Sequence, residues 1–341
     1  MTDDVPPHSR RTTLADVAAR VGVSAITVSR ALRRPDMVSE PLRKRIAEAV
    51  GELGYVPDPA ARALASRRSN VIGVIIPSIT NNVFSDVLTG IYDTLEGTAY
   101  DIQLGNSRYN AAKEEALLRV FLSQRPAGLI VTGFDQSPAA RRLLETAGCP
   151  IVQIMETGGN PVDMMVGFSH FDAAGAATRH LIAQGYRAPA FIGARMDPRS
   201  QRRFQGYRAA TTEAGVFSEA RVLTTADPSN VSLGARLFAE LLARAPETDA
   251  VLCNNDDLAL GVLFEARRQG MEIPGRLGLC GFNDLEMMAC AEPPVSSVRT
   301  FRQQMGQQGS EMLLARLNGQ EPEQRLVNLG YELIVRQSTL R

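Results

Sequence analysis

Two hydrophobic periodicities divide the chain near residue 70. Before it, apolar positions recur every three or four residues. In "TLADVAARV", Leu14, Val17, Ala18 and Val21 share one helical face, and Thr12 or Thr13 can cap it. Gly22 supplies the backbone freedom of a tight turn. Ser24 then caps a second helix in "SAITVSRALRRP", with Val28 and Leu32 turned inward and Pro35-Asp36 as the stop. A third helix, "SEPLRKRIAEAVGELGY", has Ser39 as its cap, Pro41 in its first turn, and Leu42, Ile46, Val50 and Leu53 as its stripe. The segment "VPDPAARALASRRSN" reads as a linker with a short helix over residues 59–65.

From Asn70 the pattern changes. "NVIGVIIPS", "DIQLGNS", "AGLIVTG" and "PIVQIME" are continuous apolar runs of the kind that form buried parallel strands, with helical segments between them. After "DMMVGFSHF" the alternation begins again with "APAFIGA", "RVLTT", "DAVLCN" and "RLGLCGF". Two βα series predict two doubly wound α/β subdomains, with ligand sites beyond the carboxyl ends of their strands.

Composition narrows the function classes. At 341 residues the chain is long enough for two or three domains, and 44% hydrophobic with 22% charged residues is a globular balance. No apolar run approaches the ~18 residues of a membrane span. "MTDDVPPHSRRT" has no apolar core of a secretory signal, so the expectation is a cytoplasmic protein. Cys149, Cys253, Cys280 and Cys290 form no CxxC pair, and three of them sit in apolar runs. With only three histidines, neither a metal site nor a cofactor is expected. Charge is balanced overall but uneven. Residues 1–69 hold 12 Lys and Arg against 8 Asp and Glu, so a basic head precedes an acidic body and points to a polyanion partner.

Two helices joined by a glycine turn, with Ala18, Gly22 and Val28 at the packing positions, fit a helix-turn-helix. That leaves Ala25, Ile26, Thr27, Ser29 and Arg30 facing outward. A generic three-helix bundle fits the spacing equally well. An enzyme has little support: there is no GxSxG, no P-loop and no dinucleotide fingerprint. A solute-binding receptor would share the body but lack the head.

"TLADVAARVGVSAITVSRAL" and "VSEPLRKRIAEAVGELGYVPDPAARALA" resemble the N-terminal signature of the lactose/galactose-repressor (LacI/GalR) family of transcription factors. The likeness runs on through "GVIIPSITNNVFSDVLTGI", "RRFQGYRAA", "CNNDDLALGVL", "GFNDLEM" and "LIVRQST", nearly the whole chain. It implies a disordered tail (1–11), a helix-turn-helix domain (12–57), a hinge helix and linker (58–69), and a periplasmic-binding-protein-like effector and dimerisation body (70–341). Its subdomains would comprise 70–168 with 299–327, and 169–298 with 328–341.

The resemblance also implies roles. The second helix would enter the major groove after its cap Ser24, with Arg30 at a base edge or nearby phosphate and Arg33 beside it. Thr27 and Ser29 would bond phosphates, and Ala25 and Ile26 would meet thymine methyls. Leu64 would wedge into the minor groove. A dimer on a palindromic operator is expected, since no leucine heptads follow "LIVRQSTLR". In the cleft, Arg203 matches the effector-binding arginine, Asn255 would take a sugar hydroxyl, Asp256 would cap the helix instead or join the site, and Asn283 stands where many relatives have Asp. Ser78, Asn81, Asn82 and Phe84 would wall the site, with His170 at a further cleft position. Ser229 stands where ring-binding relatives place an aromatic, so no ring clamp is expected. Within the family, "MMVGFSHFDAA", "FIGARMDPRSQRRFQGY" and "SITNNVF" look most like the gluconate-operon repressors and their 2-ketogluconate-responsive relatives. A sugar-acid effector follows, with neutral or phosphorylated sugars as the alternatives.

Overall fold

The computed structural model describes residues 12–56 and 69–341. The tail 1–11 and the hinge segment with Leu64 lie outside the described residues. The chain divides into two units, Met1–Ser69 and Asn70–Arg341.

The head comprises α1 (Leu14–Val21), α2 (Ala25–Arg33) and α3 (Glu40–Glu52). Thr13 and Asp16 form a reciprocal capping box at α1, and Ser24 Oγ accepts from Thr27 N at 3.2 Å at α2. Gly22 ends α1 at φ 76°, a conformation that suits glycine. Val17, Val28 and Ile46 meet at the centre, fully or almost fully buried. Leu32 is not inward as the periodicity predicts: it is 40% exposed, and Ala31 is buried in its place. The inward stripe of α2 steps from Val28 by three residues rather than four, which leaves only a small side chain between helices. Ser39 occupies the cap position of α3 without making a side-chain cap bond. Instead, Arg45 anchors α3 by donating to the Val21 carbonyl at 2.8 Å.

The body opens with β1 (Val71–Ile76), α4 (Asn82–Leu95), β2 (Asp101–Asn106), α5 (Ala111–Ser123), β3 (Gly128–Thr132), α6 (Pro138–Glu145), β4 (Ile151–Ile154) and β5 (Met164–Gly167). It continues with α7 (His170–Ala183), β6 (Pro189–Gly193), α8 (Pro198–Glu213), β7 (Val222–Thr224), α9 (Val231–Arg244), β8 (Ala250–Cys253), α10 (Asp256–Arg268) and β9 (Gly278–Asn283). Last come α11 (Glu286–Cys290), β10 (Ser296–Thr300), α12 (Arg302–Leu317), β11 (Leu326–Asn328) and β12 (Tyr331–Ile334). The strands form two six-stranded sheets, ordered β11-β5-β4-β3-β1-β2 and β12-β10-β9-β8-β6-β7. All neighbours run parallel except β10 and β12, which are antiparallel. Each sheet is the core of one lobe, and β1, β4, β8 and β9 are buried almost throughout, as runs covered on both faces must be.

The chain passes between the lobes after β5, after β10 and after β11. Arg299 and Thr300 still belong to β10 of the second sheet, and Asn328 to β11 of the first, so these crossings fall slightly later than the boundaries at 299 and 328. The shift has a simple cause: a strand keeps its ladder bonds to its end before the chain can leave the sheet.

Two helix pairs cross on mutual glycines. A Cβ on Gly90 of α4 would run into the Gln303 backbone of α12, and one on Gly306 of α12 would meet the Val87 carbonyl. Gly234 of α9 and Gly261 of α10 stand in the same relation, against Leu258 and Val231. We expect Gly261→Ala to force these helices apart and cost about 1–3 kcal/mol of stability in chemical denaturation. An unchanged midpoint would show that the helices can separate freely.

Candidate functional site

In the head, the first turn of α2 projects from the bundle. Ser24, Ala25, Ile26 and Arg30 are exposed, Thr27 and Ser29 are half-buried, and Ile26 is 70% exposed. The Thr27 and Ser24 hydroxyls lie 2.9 Å apart, and Thr27 also contributes to the cap. Arg33 closes α2, and its side chain lies outside those described. An isoleucine left in water on a helix of a small domain is unexplained by packing, but it suits a surface that meets apolar base edges.

In the body, the residues that follow the parallel strands converge between the lobes, as the crossover rule for such sheets requires. Asn81, Asn110 and Ser137 of the first lobe, and Ser169, Asp197, Asn230 and Asn255 of the second, each cap the helix that follows a strand. Their helix N-termini supply positive potential to the same region. Backbone strain concentrates there as well. Of eight non-glycine residues with positive φ among those described, all but Arg125 follow or end a strand at the cleft: Arg108, Tyr109, Met155, Arg195, Met196, Asn283 and Asp284.

A solvent-open cavity occupies the cleft. Asn81, Phe84, Arg203, Asn255 and Asn283 line it, together with Ser229. Ser78 instead accepts backbone bonds from Thr80 and Asn81 in the turn before α4, and Asn82 faces solvent. Of the Asn255-Asp256 pair, Asn255 caps α10 by accepting from Leu258 N at 3.1 Å while still facing the cavity. Asp256 does not reach it. The carboxylate is fully buried, accepts from Ser297 Oγ at 2.7 Å and Leu285 N at 2.8 Å, and is pushed up to about 6 by that burial. Its oxygens hold the turn after β9 in place.

Arg203 is the floor of the cleft. Only 8% exposed, it donates from Nε to His170 Nδ1 at 3.1 Å and from Nη1 to the Asn254 carbonyl, with its plane 3.8 Å over the Phe282 ring. No ion pair among the described residues includes it. Burial lowers its pKa to about 10. His170 is fully buried and not on the wall; its Nε2–H donates to the Met155 carbonyl at 2.9 Å. Burial and Arg203 hold its pKa well below the usual value, so it is neutral and its Nδ1 lone pair accepts from Arg203.

Among the wall residues that were not predicted are Tyr109, Arg195, Asp197 and Arg199. Tyr109 adds a ring to the predicted Phe84, and Arg195 of the second lobe lies 4.0 Å over one face of it. Asp197 caps α8 and sits below the usual carboxylate range; burial pushes it up, and Arg199, Arg203 and two backbone donors outweigh that. Arg199 Nη1 and Asn283 Oδ1 are both buried without a bonding partner. Arg199 already pairs through Nε with Asp197 at 3.5 Å, so Nη1 is its spare donor, and with the Asn283 acceptor it suits a hydroxylated ligand. The signal that could have found Arg195 and Arg199 was their place just after an apolar strand, in "FIGARMDPR".

Next to Arg203 on α8, Arg202 reaches the first lobe. It grips Asp135 at 2.5 and 2.9 Å and Glu156 at 3.0 Å, beside the Phe134 ring. Glu156 is 2% exposed, and burial raises it to about 7 against the pull of Arg202. Between pH 4.5 and 7 the folded protein therefore retains a proton on Glu156 that the unfolded chain has lost, so this group's contribution to stability falls as pH rises through that window. The stability of Glu156→Gln relative to wild type is expected to improve between pH 5 and pH 8 in denaturant titrations; a constant difference would refute the assignment.

A lobed, solute-binding body of periplasmic type and a helix-turn-helix head in one chain define a ligand-sensing DNA-binding protein. Family models agree with both parts: bacterial regulatory proteins of the lacI family match residues 13–58, and a periplasmic binding protein-like domain matches residues 178–339. The chain is 42% identical over 329 residues to the HTH-type transcriptional regulator GntR of Pseudomonas aeruginosa, 96% of each. It superposes on a LacI-family transcriptional regulator from Silicibacter pomeroyi with a TM-score of 0.92 at 37% identity, covering 97% of this chain and 100% of that one. The lac repressor dimer bound to operator and the anti-inducer ONPF gives a TM-score of 0.81 at 25% identity, covering 97% and 100%. The chain belongs to the lacI family of bacterial regulatory proteins, and it is a DNA-binding transcriptional regulator.

Proposed function

We propose that this regulator is a repressor of sugar-acid catabolism genes, acting as a homodimer on a palindromic operator whose affinity is set by gluconate or 2-ketogluconate in the cleft. The cleft's unbonded pair, Arg199 Nη1 and Asn283 Oδ1, carries the reading, since together they ask for an acceptor, which a carboxylate oxygen supplies, and for a hydroxyl donor from one small molecule. Arg203 adds a buried cation with no carboxylate partner among the described residues, and an arginine fork suits a carboxylate. Asn283 in place of an acid removes a negative charge that would repel such a ligand. Arg195 covers one face of Tyr109, against which a sugar ring could otherwise stack. The resemblance of "FIGARMDPRSQRRFQGY" to gluconate-operon repressors points the same way.

On DNA, Arg30 would read a base edge or nearby phosphate, and Thr27 and Ser29 would fix the register on phosphates. Ser24 would orient their helix, with Arg33 on the adjoining phosphates. Ile26 and Ala25 would meet thymine methyls, and Leu64 would open a base step. The dimer is supported by the lac repressor dimer's likeness to this chain. The effector acts by stabilising one arrangement of the lobes, and a coupling of about 1–3 kcal/mol changes operator affinity roughly 5- to 150-fold.

The test is fluorescence anisotropy on palindromic sites upstream of sugar-acid genes. Affinity should fall steeply with salt through counterion release. Gluconate or 2-ketogluconate should lower it further, while neutral hexoses and sugar phosphates do not. Arg203→Lys should keep operator binding and lose the response to the acid. Equal operator affinity with and without every sugar acid would end this reading. Separately, Ile26→Thr should shift the preferred base pairs in a selection of random sites; an unchanged profile would remove Ile26 from the reading surface.

A further inference from the structure

A second, roomier cavity adjoins the first, and Tyr109, Asp197 and Arg199 wall both. Beyond those three, the two differ in chemistry. The first is cationic through Arg195 and Arg203, whereas the second is lined from the first lobe by Ser107, Asn110, Glu114, Thr132, Asp135 and Gln136. Asp135 is already held by Arg202. Glu114 is different: it lies in α5 just past the Asn110 cap, half-buried, and enters no ion pair among the described residues. Its one hydrogen bond there is a long one, 3.5 Å from Gln136 Nε2. Gln136 has little freedom to shorten it, because the same nitrogen donates to the Gly133 carbonyl at 3.0 Å and its oxygen accepts from Gln153 at 2.9 Å. Burial raises the Glu114 pKa, as expected for a carboxylate short of donors.

An extended ligand with one charged end and hydroxyls along its length matches this sequence of environments. We propose that the second cavity is a subsite for the hydroxylated tail of the effector, with Glu114 accepting from its distal hydroxyls while the carboxylate lies against Arg199 and Arg203. The assignment rests on the sugar-acid reading and adds to it a direction of binding and a residue that measures chain length.

Calorimetry on the full-length protein with gluconate and with glycerate tests it, since glycerate keeps the carboxylate and its neighbouring hydroxyl but has no tail. Wild type should bind gluconate far more tightly than glycerate. Glu114→Ala should weaken gluconate about tenfold and leave glycerate unchanged, with Glu114→Gln between the two because its carbonyl still accepts. Unchanged thermal unfolding of both variants confirms that the subsite alone has been altered. If Glu114→Ala leaves gluconate untouched, or weakens both acids alike, the tail subsite is wrong while the sugar-acid reading stands. If wild type binds neither acid nor 2-ketogluconate, the sugar-acid reading falls and the subsite with it.

Discussion

A guanidinium taken out of water constrains the whole of the cleft. Arg203 carries its charge at 8% exposure, and nothing acidic bonds to it among the described residues. Such burial is costly, and the protein offsets it with three neutral contacts: a histidine lone pair, a backbone carbonyl and an aromatic face. Each contact fixes something else. For Nδ1 to accept, His170 must carry its proton on Nε2, and that proton must find an acceptor, which is the Met155 carbonyl. Met155 presents that carbonyl from a backbone at φ 75°. The arginine thus reaches, through one imidazole, from α8 in the second lobe to the end of β4 in the first.

Its neighbour follows a parallel path. Arg202 spans the lobes to Asp135 and Glu156, and Arg302 joins Asp86 of α4 to the Asn283 carbonyl at the end of β9. Because the chain itself passes between the lobes only at three strand ends, these polar bridges hold much of the relation between the two sheets. They are charged, partly buried and dependent on geometry, so a ligand that neutralises the cleft's positive wall shifts the same electrostatic balance that holds the lobes together. Seven strained backbones at the cleft fit this picture, since strained conformations persist only where the surroundings determine them from several sides.

Much of this was legible in the residues. The strands announced themselves because both faces of each sheet are covered, and "NVIGVIIPS" or "AVLCN" has no other stable place than a buried parallel sheet. The head was legible through its caps and glycine turn. Leu32 was misread because a period of 3.6 permits a step of three or four, and only packing decides which. Asp256 was ambiguous beside Asn255, since both residue types cap helices and bind hydroxyls; the sheet resolves it by bringing Ser297 and the Leu285 amide to the carboxylate. Tyr109, Arg195 and Arg199 were invisible as a group. Tyr109 and Arg195 lie on loops and Arg199 in the first turn of α8, on different lobes brought together by the crossings after β5 and β10, and no spacing in the chain encodes that proximity.

The same reasoning explains why a sensor can share its body with solute-binding proteins and still act on DNA. Binding energy spent on a cleft between two lobes is recovered as a preference between lobe arrangements, whatever those lobes are attached to. Here the fixed charges make that preference specific. Arg203 and Arg199 are committed to the cleft before any ligand arrives, and neither can move to solvent without abandoning its hydrogen-bonded or packed surroundings. On the sugar-acid reading, a ligand carboxylate would touch both lobes at once, through Arg203 on α8 and, by way of His170, the first-lobe backbone. On that reading, discrimination by the wall and coupling to the lobes would both follow from one buried positive charge.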